Sequence, residues 1–110
     1  MMETDLSEGI VTIDLSAGPR MLGELDTAIR IVRDKDELDV VIDFVNVDIL
    51  YSPGIAKLME LRKVLHEHGH RLVLYNVSEA IQGIFAVTEL DHVIEFADDK
   101  VTALTCIHRL

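Results

Sequence analysis

The densest run of metal-ligand residue types in the chain is His66-Glu67-His68-Gly69-His70. His66 and His70 are four residues apart, a spacing that stacks two imidazoles on one helical face. Gly69 falls between them, and glycine commonly ends a helix, which spoils the shared face. No cysteine or acidic ligand has an assigned place beside them. Histidines near a helix carboxyl end complement its partial negative charge, so neither a metal nor a cofactor is expected. Cys106 is the single cysteine, which excludes an internal disulfide and a Cys-based zinc site and fits a reducing compartment. It reads as a small side chain with nothing to activate it.

Signatures of the usual α/β activities are absent. The chain has no glycine-rich phosphate loop after its first strand, no G-x-S-x-G and no C-x-x-C. A receiver-type phosphoacceptor needs acidic residues clustered at the carboxyl ends of strands. The first well-defined strand ends in Leu15-Ser16-Ala17, which offers none, and Asp43 is expected to point sideways from its strand. No enzyme active site is expected. Asn76-Val77-Ser78 matches a glycosylation sequon, but no secretion signal accompanies it.

One segment does carry chemistry: Leu50-Tyr51-Ser52-Pro53-Gly54-Ile55. Ser52 is a good N-cap and Pro53 a good first helical residue, so together they start a helix. A hydroxyl at a helix amino terminus also sits where the macrodipole and free N–H groups favour an anion. A phosphate on Ser52 would be tolerated locally while adding roughly −1.5 to −2 charges to the surface. The domain would stay folded while its docking face changed character.

The elements that position this segment follow from hydrophobic periodicity. Val11-Thr12-Ile13-Asp14-Leu15 alternates as a strand with one buried face, and residues 2–6 are assigned to the other arm of a hairpin. Gly18-Pro19 breaks the strand and leads into a helix with Leu22, Leu25, Ile29 and Val32 on its apolar stripe. Val40-Val41-Ile42-Asp43-Phe44-Val45 reads as a central strand buried on both sides, and a loop through Tyr51 follows. The second helix runs from Ser52 to about His68, burying Ile55, Leu58, Leu61 and Leu65 and ending at Gly69. Arg71-Leu72-Val73-Leu74-Tyr75 is a strand, and Ser78 caps a short helix containing Ile81, Ile84 and Phe85. His92-Val93-Ile94-Glu95-Phe96 is the last strand. Asp98 or Asp99 then caps a final helix with Val101, Leu104 and Ile107 on its stripe. The order is β-β-α-β-α-β-α-β-α over one 110-residue α/β domain, with a mostly parallel sheet.

Composition narrows the partners. The chain is 49% hydrophobic without tryptophan, so the core is aliphatic. Its formal net charge of −10 opposes nucleic acid and anionic lipid, both of which are bound through clusters of Lys and Arg. The amino terminus does not read as a signal peptide. No apolar stretch approaches the roughly 20 residues that span a bilayer, so no membrane insertion is expected. A soluble, cytoplasmic protein that docks on neutral or basic proteins remains.

Together these segments resemble the STAS domain family of bacterial anti-sigma factor antagonists, over about Ile10 to Leu110. The buried strand Val40-Val41-Ile42-Asp43-Phe44 leads into Tyr51-Ser52-Pro53-Gly54-Ile55, similar to the family's D-S-[ST]-G-[LIV] motif. Gly69 and the strand ending in Asn76-Val77 follow as in the family. The resemblance implies a mixed sheet with helices mainly on one side. It also implies a partner, an anti-sigma factor with serine kinase activity, that phosphorylates the serine matched by Ser52 in a cycle controlling transcription. Partner contact is expected at Gly18, Pro19, Tyr51, Ser52, Pro53, Gly54 and Ile55, with Lys57 and Glu60 as a polar rim. Tyr51 stands where the family has aspartate, and Pro53 where it has a second Ser or Thr. Gly23-Glu24-Leu25-Asp26 lies inside the first helix, where the family often has G-E-L-D before it. A constitutive, unphosphorylated accessory module of a signalling complex or transporter is therefore an alternative, and a weak homodimer is a further association. A small enzyme or ligand-binding domain using Asp48, Tyr51 or Ser52 is a third reading, since one fold hosts many functions.

Overall fold

The computed structural model describes residues 2–5, 9–35 and 37–108, so Leu6 of the expected first arm lies outside the described residues. Five strands form one sheet in the order β1-β2-β3-β4-β5. β1 (Met2–Asp5) pairs antiparallel with β2 (Ile10–Asp14), from Met2 opposite Ile13 to Asp5 opposite Ile10. β3 (Asp39–Asp43), β4 (Leu72–Tyr75) and β5 (Glu95–Ala97) then extend the sheet in parallel. The element order and the mostly parallel sheet match the expectation.

Each crossover moves one strand further in the same direction. Right-handed connections therefore put α1 (Arg20–Asp34), α2 (Ser52–Glu67) and α3 (Glu79–Val87) on one side. The alternation of the strands records the two faces. Val11, Ile13, Val40, Ile42, Leu72 and Leu74 join those helices in the main core. Ile10, Val41, Val73 and Tyr75 point the other way, under Ala103, Leu104 and Ile107 of α4 (Lys100–His108). Asp99 caps α4 by accepting the Thr102 N–H at 2.8 Å, a bond that lowers the pKa of its carboxyl. The Arg71 guanidinium ties α4 down by donating to both Glu95 carboxylate oxygens and to the Cys106 carbonyl.

Several expected details differ. On α1, Met21, Leu25, Ala28, Ile29 and Val32 are buried, whereas Leu22 is exposed. β3 stops at Asp43 because its carboxylate accepts the Val45 N–H at 2.9 Å and folds a turn, leaving Val45 exposed. On α2, Val64 takes a core position and Ile55 is only half-buried. Residues Leu90–His92 form a single 3-10 turn instead of opening the last strand, with Glu89 in left-handed conformation at its start. Ala103 is the buried residue of α4, and Val101 faces outward.

The carboxyl end of α2 is closed. Gly69, at φ +77°, donates to the His66 carbonyl, and the His70 N–H reaches the Leu65 carbonyl at 2.8 Å. This paired glycine termination swings His70 off the helix face. Its Nδ1 lies 3.2 Å from an Asp39 carboxylate oxygen that also accepts the Arg71 N–H. Among the described residues, no group of three His, Cys, Asp or Glu side chains is placed to hold a metal ion. Among them, too, no helix is long and apolar enough to cross a membrane.

Candidate functional site

Two loops at the carboxyl edge of the sheet, far apart in sequence, build the site. The first joins β2 to α1. Both the Ser16 N–H and its hydroxyl donate to the Glu24 carboxylate at 2.7 Å, so the second turn of α1 holds the loop against the sheet. Gly18 turns the chain at φ +73°, a region that favours glycine, and its carbonyl accepts the Met21 N–H.

The second loop runs from β3 to α2. Asp43 anchors its start, accepting from Val45 N–H and from the Asn76 amide at 3.1 Å. Val47 and Leu50 are driven into the core, so the intervening and following side chains, Asp48, Ile49 and Tyr51, are forced outward. Ile49 is 53% exposed and Tyr51 72%. Both values are high for residues of this size.

Helix α2 begins one residue earlier than the Ser-Pro pair suggests. Tyr51, in extended conformation, is the cap, and its carbonyl accepts the Ile55 N–H at 3.1 Å. Ser52 is thus the first helical residue rather than the N-cap, and Pro53 follows it within the first turn. No side-chain hydrogen bond caps this end. With Pro53 lacking an N–H, the first turn leaves the Ser52 and Gly54 N–H groups without helical partners.

At Gly54, α2 lies tight against Leu50 of the second loop and Met21 of α1. A Cβ there would meet Leu50 Cδ1 at 2.9 Å and Met21 Sδ at 3.0 Å, so only glycine fits without displacement. Further along, Lys57 forms an ion pair with Asp26 at 2.6 Å, and Arg33 reaches Glu60 at 3.3 Å. The Asp26 hydrogen bond raises the Lys57 pKa. Lys57 and Glu60 are half-buried rather than exposed, and both are engaged with α1.

Between the two loops lies a cleft of about 360 Å³. Ala17, Gly18, Met21 and Leu22 form one wall; Asp48, Ile49, Tyr51, Pro53 and Gly54 form the other. Of the residues expected at the site, Gly18, Tyr51, Pro53 and Gly54 are brought together here. Pro19 and Ser52 are exposed next to it in the chain, and Ile55 is half-buried against the core. Leu22 and Ile49 were missed as site residues. Their signal was weak: Leu22 shares a helical stripe with true core positions, and Ile49 is one apolar residue in a loop.

On the opposite face, Asp14, Asp43 and Tyr75 stand in register across β2, β3 and β4. Burial, reinforced by the charges of Asp43 and Asp14, pushes the Tyr75 phenol up to about 12.

An antiparallel lead strand, four parallel strands in sequential order, three helices on one face and one on the other define an α/β domain of the anti-sigma factor antagonist fold. The family model for the STAS domain matches residues 22–103, and the chain belongs to that family. No curated protein sequence matches it. Among solved structures, an anti-sigma-factor antagonist (STAS) domain protein from Planctomyces limnophilus is 18% identical, at TM-score 0.79 over 97% of this chain and 96% of that one. A candidate anti-sigma factor antagonist from Thermotoga maritima gives 0.77 at 14% identity, over 99% and 94%. The anti-sigma factor antagonist SpoIIAA in its unphosphorylated form gives 0.76 at 12%, over 100% and 98%. The Bacillus SpoIIAA in the phosphorylated form gives 0.73 at 14%, over 98% of each chain.

Proposed function

We propose that this chain is a non-enzymatic regulatory domain that docks on an anti-sigma factor with serine kinase activity and is switched by phosphorylation of Ser52. The docking face comprises the starts of α1 and α2, including Gly18, Pro19, Tyr51, Ser52, Pro53, Gly54 and Ile55. One observation carries the reading: Ser52 is exposed in the first turn of a 16-residue helix, with no side-chain bond closing that end. A phosphate there meets the positive end of the helix dipole and two free N–H groups, so the fold tolerates it. The added charge falls beside exposed Tyr51 and Ile49, apolar surface that a partner would cover. SpoIIAA, of similar fold, has been solved in both phosphorylation states.

To test this, the protein is incubated with its cognate kinase and ATP and its intact mass is measured. We expect the gain of one phosphate, absent in Ser52→Ala. No gain, or a gain that persists in Ser52→Ala, removes Ser52 from the mechanism.

A second reading keeps the docking face without the switch, as a constitutive module of a signalling complex or transporter. It is favoured by the engagement of the nearby acids: Glu24 is bound to Ser16 and Asp26 to Lys57, so neither is free to serve a phosphoacceptor. Co-purification from the native cell separates the two readings: a sigma-factor regulator supports the first, transporter subunits the second.

A further inference from the structure

The carboxylates around the candidate site are engaged, with one exception. Glu24 holds Ser16, Asp26 holds Lys57, and Asp43 holds Val45 and Asn76. Asp48 is exposed on the wall of the cleft, and no hydrogen bond or ion pair engages its carboxylate among the described residues. Its neighbours on that cleft are apolar: Met21, Leu22, Ile49, Tyr51 and Pro53. Arg20, the cation at the start of α1, is not among the described residues that line it. A negative group thus sits at the edge of an apolar recess, on a chain whose formal net charge is −10.

From this we infer that the cleft receives a specific anchor: one aliphatic side chain of a protein partner, next to an arginine or lysine that pairs with Asp48. The inference rests on the docking reading above and deepens it. Size and chemistry agree. About 360 Å³ is at the small end of pockets that hold drug-sized ligands, enough for one or two side chains but not for a folded element. Burying leucine against Met21, Leu22 and Ile49 provides affinity, because apolar area leaves water. The ion pair provides direction and discrimination, as charges at the edge of an interface do. An acidic residue in the same place would face Asp48 and be repelled. The anchor therefore selects basic segments, in keeping with the acidity of the whole chain.

The test uses capped tetrapeptides titrated into the isotope-labelled full chain while backbone amide shifts are followed. The probe is alanine-leucine-arginine-alanine, and the controls replace its arginine with glutamate or its leucine with serine. We expect the leucine-arginine peptide to move the amides of Gly18, Leu22, Asp48, Tyr51 and Gly54. It should bind about threefold more tightly than the glutamate control, the size of an exposed ion pair. Asp48→Asn should erase that preference, and Arg30→Gln, in the middle of α1 and outside the cleft, should leave it in place. The serine control should bind more weakly than either leucine peptide. The inference is overturned by shifts confined to another surface, by equal binding of the arginine and glutamate peptides, or by no shifts at millimolar peptide. A native partner that still covers Tyr51 while these peptides fail overturns the anchor and leaves the docking reading standing.

Discussion

Two helices of this chain begin beside a serine, and the two starts are built differently. At α3 the Ser78 hydroxyl accepts the Ile81 N–H at 3.3 Å, and Glu79 in the first turn complements the dipole. At α2 the serine lies one position further in, and Tyr51 caps the helix through its carbonyl alone. A hydroxyl that closes a helix is committed to the fold. Ser52 is left available to solvent, and the helix is held instead by burial of Val47 and Leu50 behind it and by the fixed φ of Pro53. Locally, then, one serine serves stability and the other stays available.

The largest effect should come from Gly54, whose missing Cβ lets Leu50 and Met21 seat the start of α2. Gly54→Val should lower stability by about 2 kcal/mol, within the range for overpacking and short of its top because the atoms met are the movable ends of Leu50 and Met21, read as a drop in denaturation midpoint. A midpoint within error of the wild type would mean that this end of α2 is loosely held, and the contrast with α3 would lose its basis.

Next is binding. Ser52→Asp should weaken partner affinity about tenfold, or 1.4 kcal/mol, while the circular dichroism and melting temperature remain those of the wild type. Unchanged affinity would place the interface away from the helix start.

The two serines themselves give the sharpest pair. Ser78→Ala should cost about 1 kcal/mol in stability, the usual price of a lost cap. Ser52→Ala should cost less than about 0.5 kcal/mol, as for a surface residue without a bond. Equal losses would show that Ser52 caps α2 after all.

Much of the fold was legible because its rules are local. Alternation in residues 11–15, the apolar run in 40–44, the glycine at 69 and the serine at 78 each specify an element or its boundary without reference to anything distant. Where the local rules allowed two answers, packing chose. A helical stripe through Leu25, Ile29 and Val32 accommodates either Met21 or Leu22; Met21 is the one buried, with its Sδ beside Gly54, and Leu22 is left at the cleft. Ser52-Pro53 fits either of two helix registers, and the Tyr51 carbonyl bond decides. The Leu90–His92 turn broke the expected last strand for a comparable reason: Val93 and Ile94 both donate to the Leu90 carbonyl, which keeps the chain coiled until Glu95. The candidate site was legible in half. Resemblance pointed to the start of α2 and to Gly18 and Pro19, but the side chains that complete the opposite wall, Ala17, Met21 and Leu22, are brought there by a crossover and leave no motif.

Footprinting of Tyr51 by hydroxyl radicals, with the protein free and then bound to its native partner, tests the central claim most directly. The side chain is 72% exposed when free and should react readily. Docking at the start of α2 should suppress its oxidation in the complex, and phosphorylation of Ser52 should restore it. Equal oxidation of Tyr51 in the free and bound protein, with protection on another face, would contradict the account.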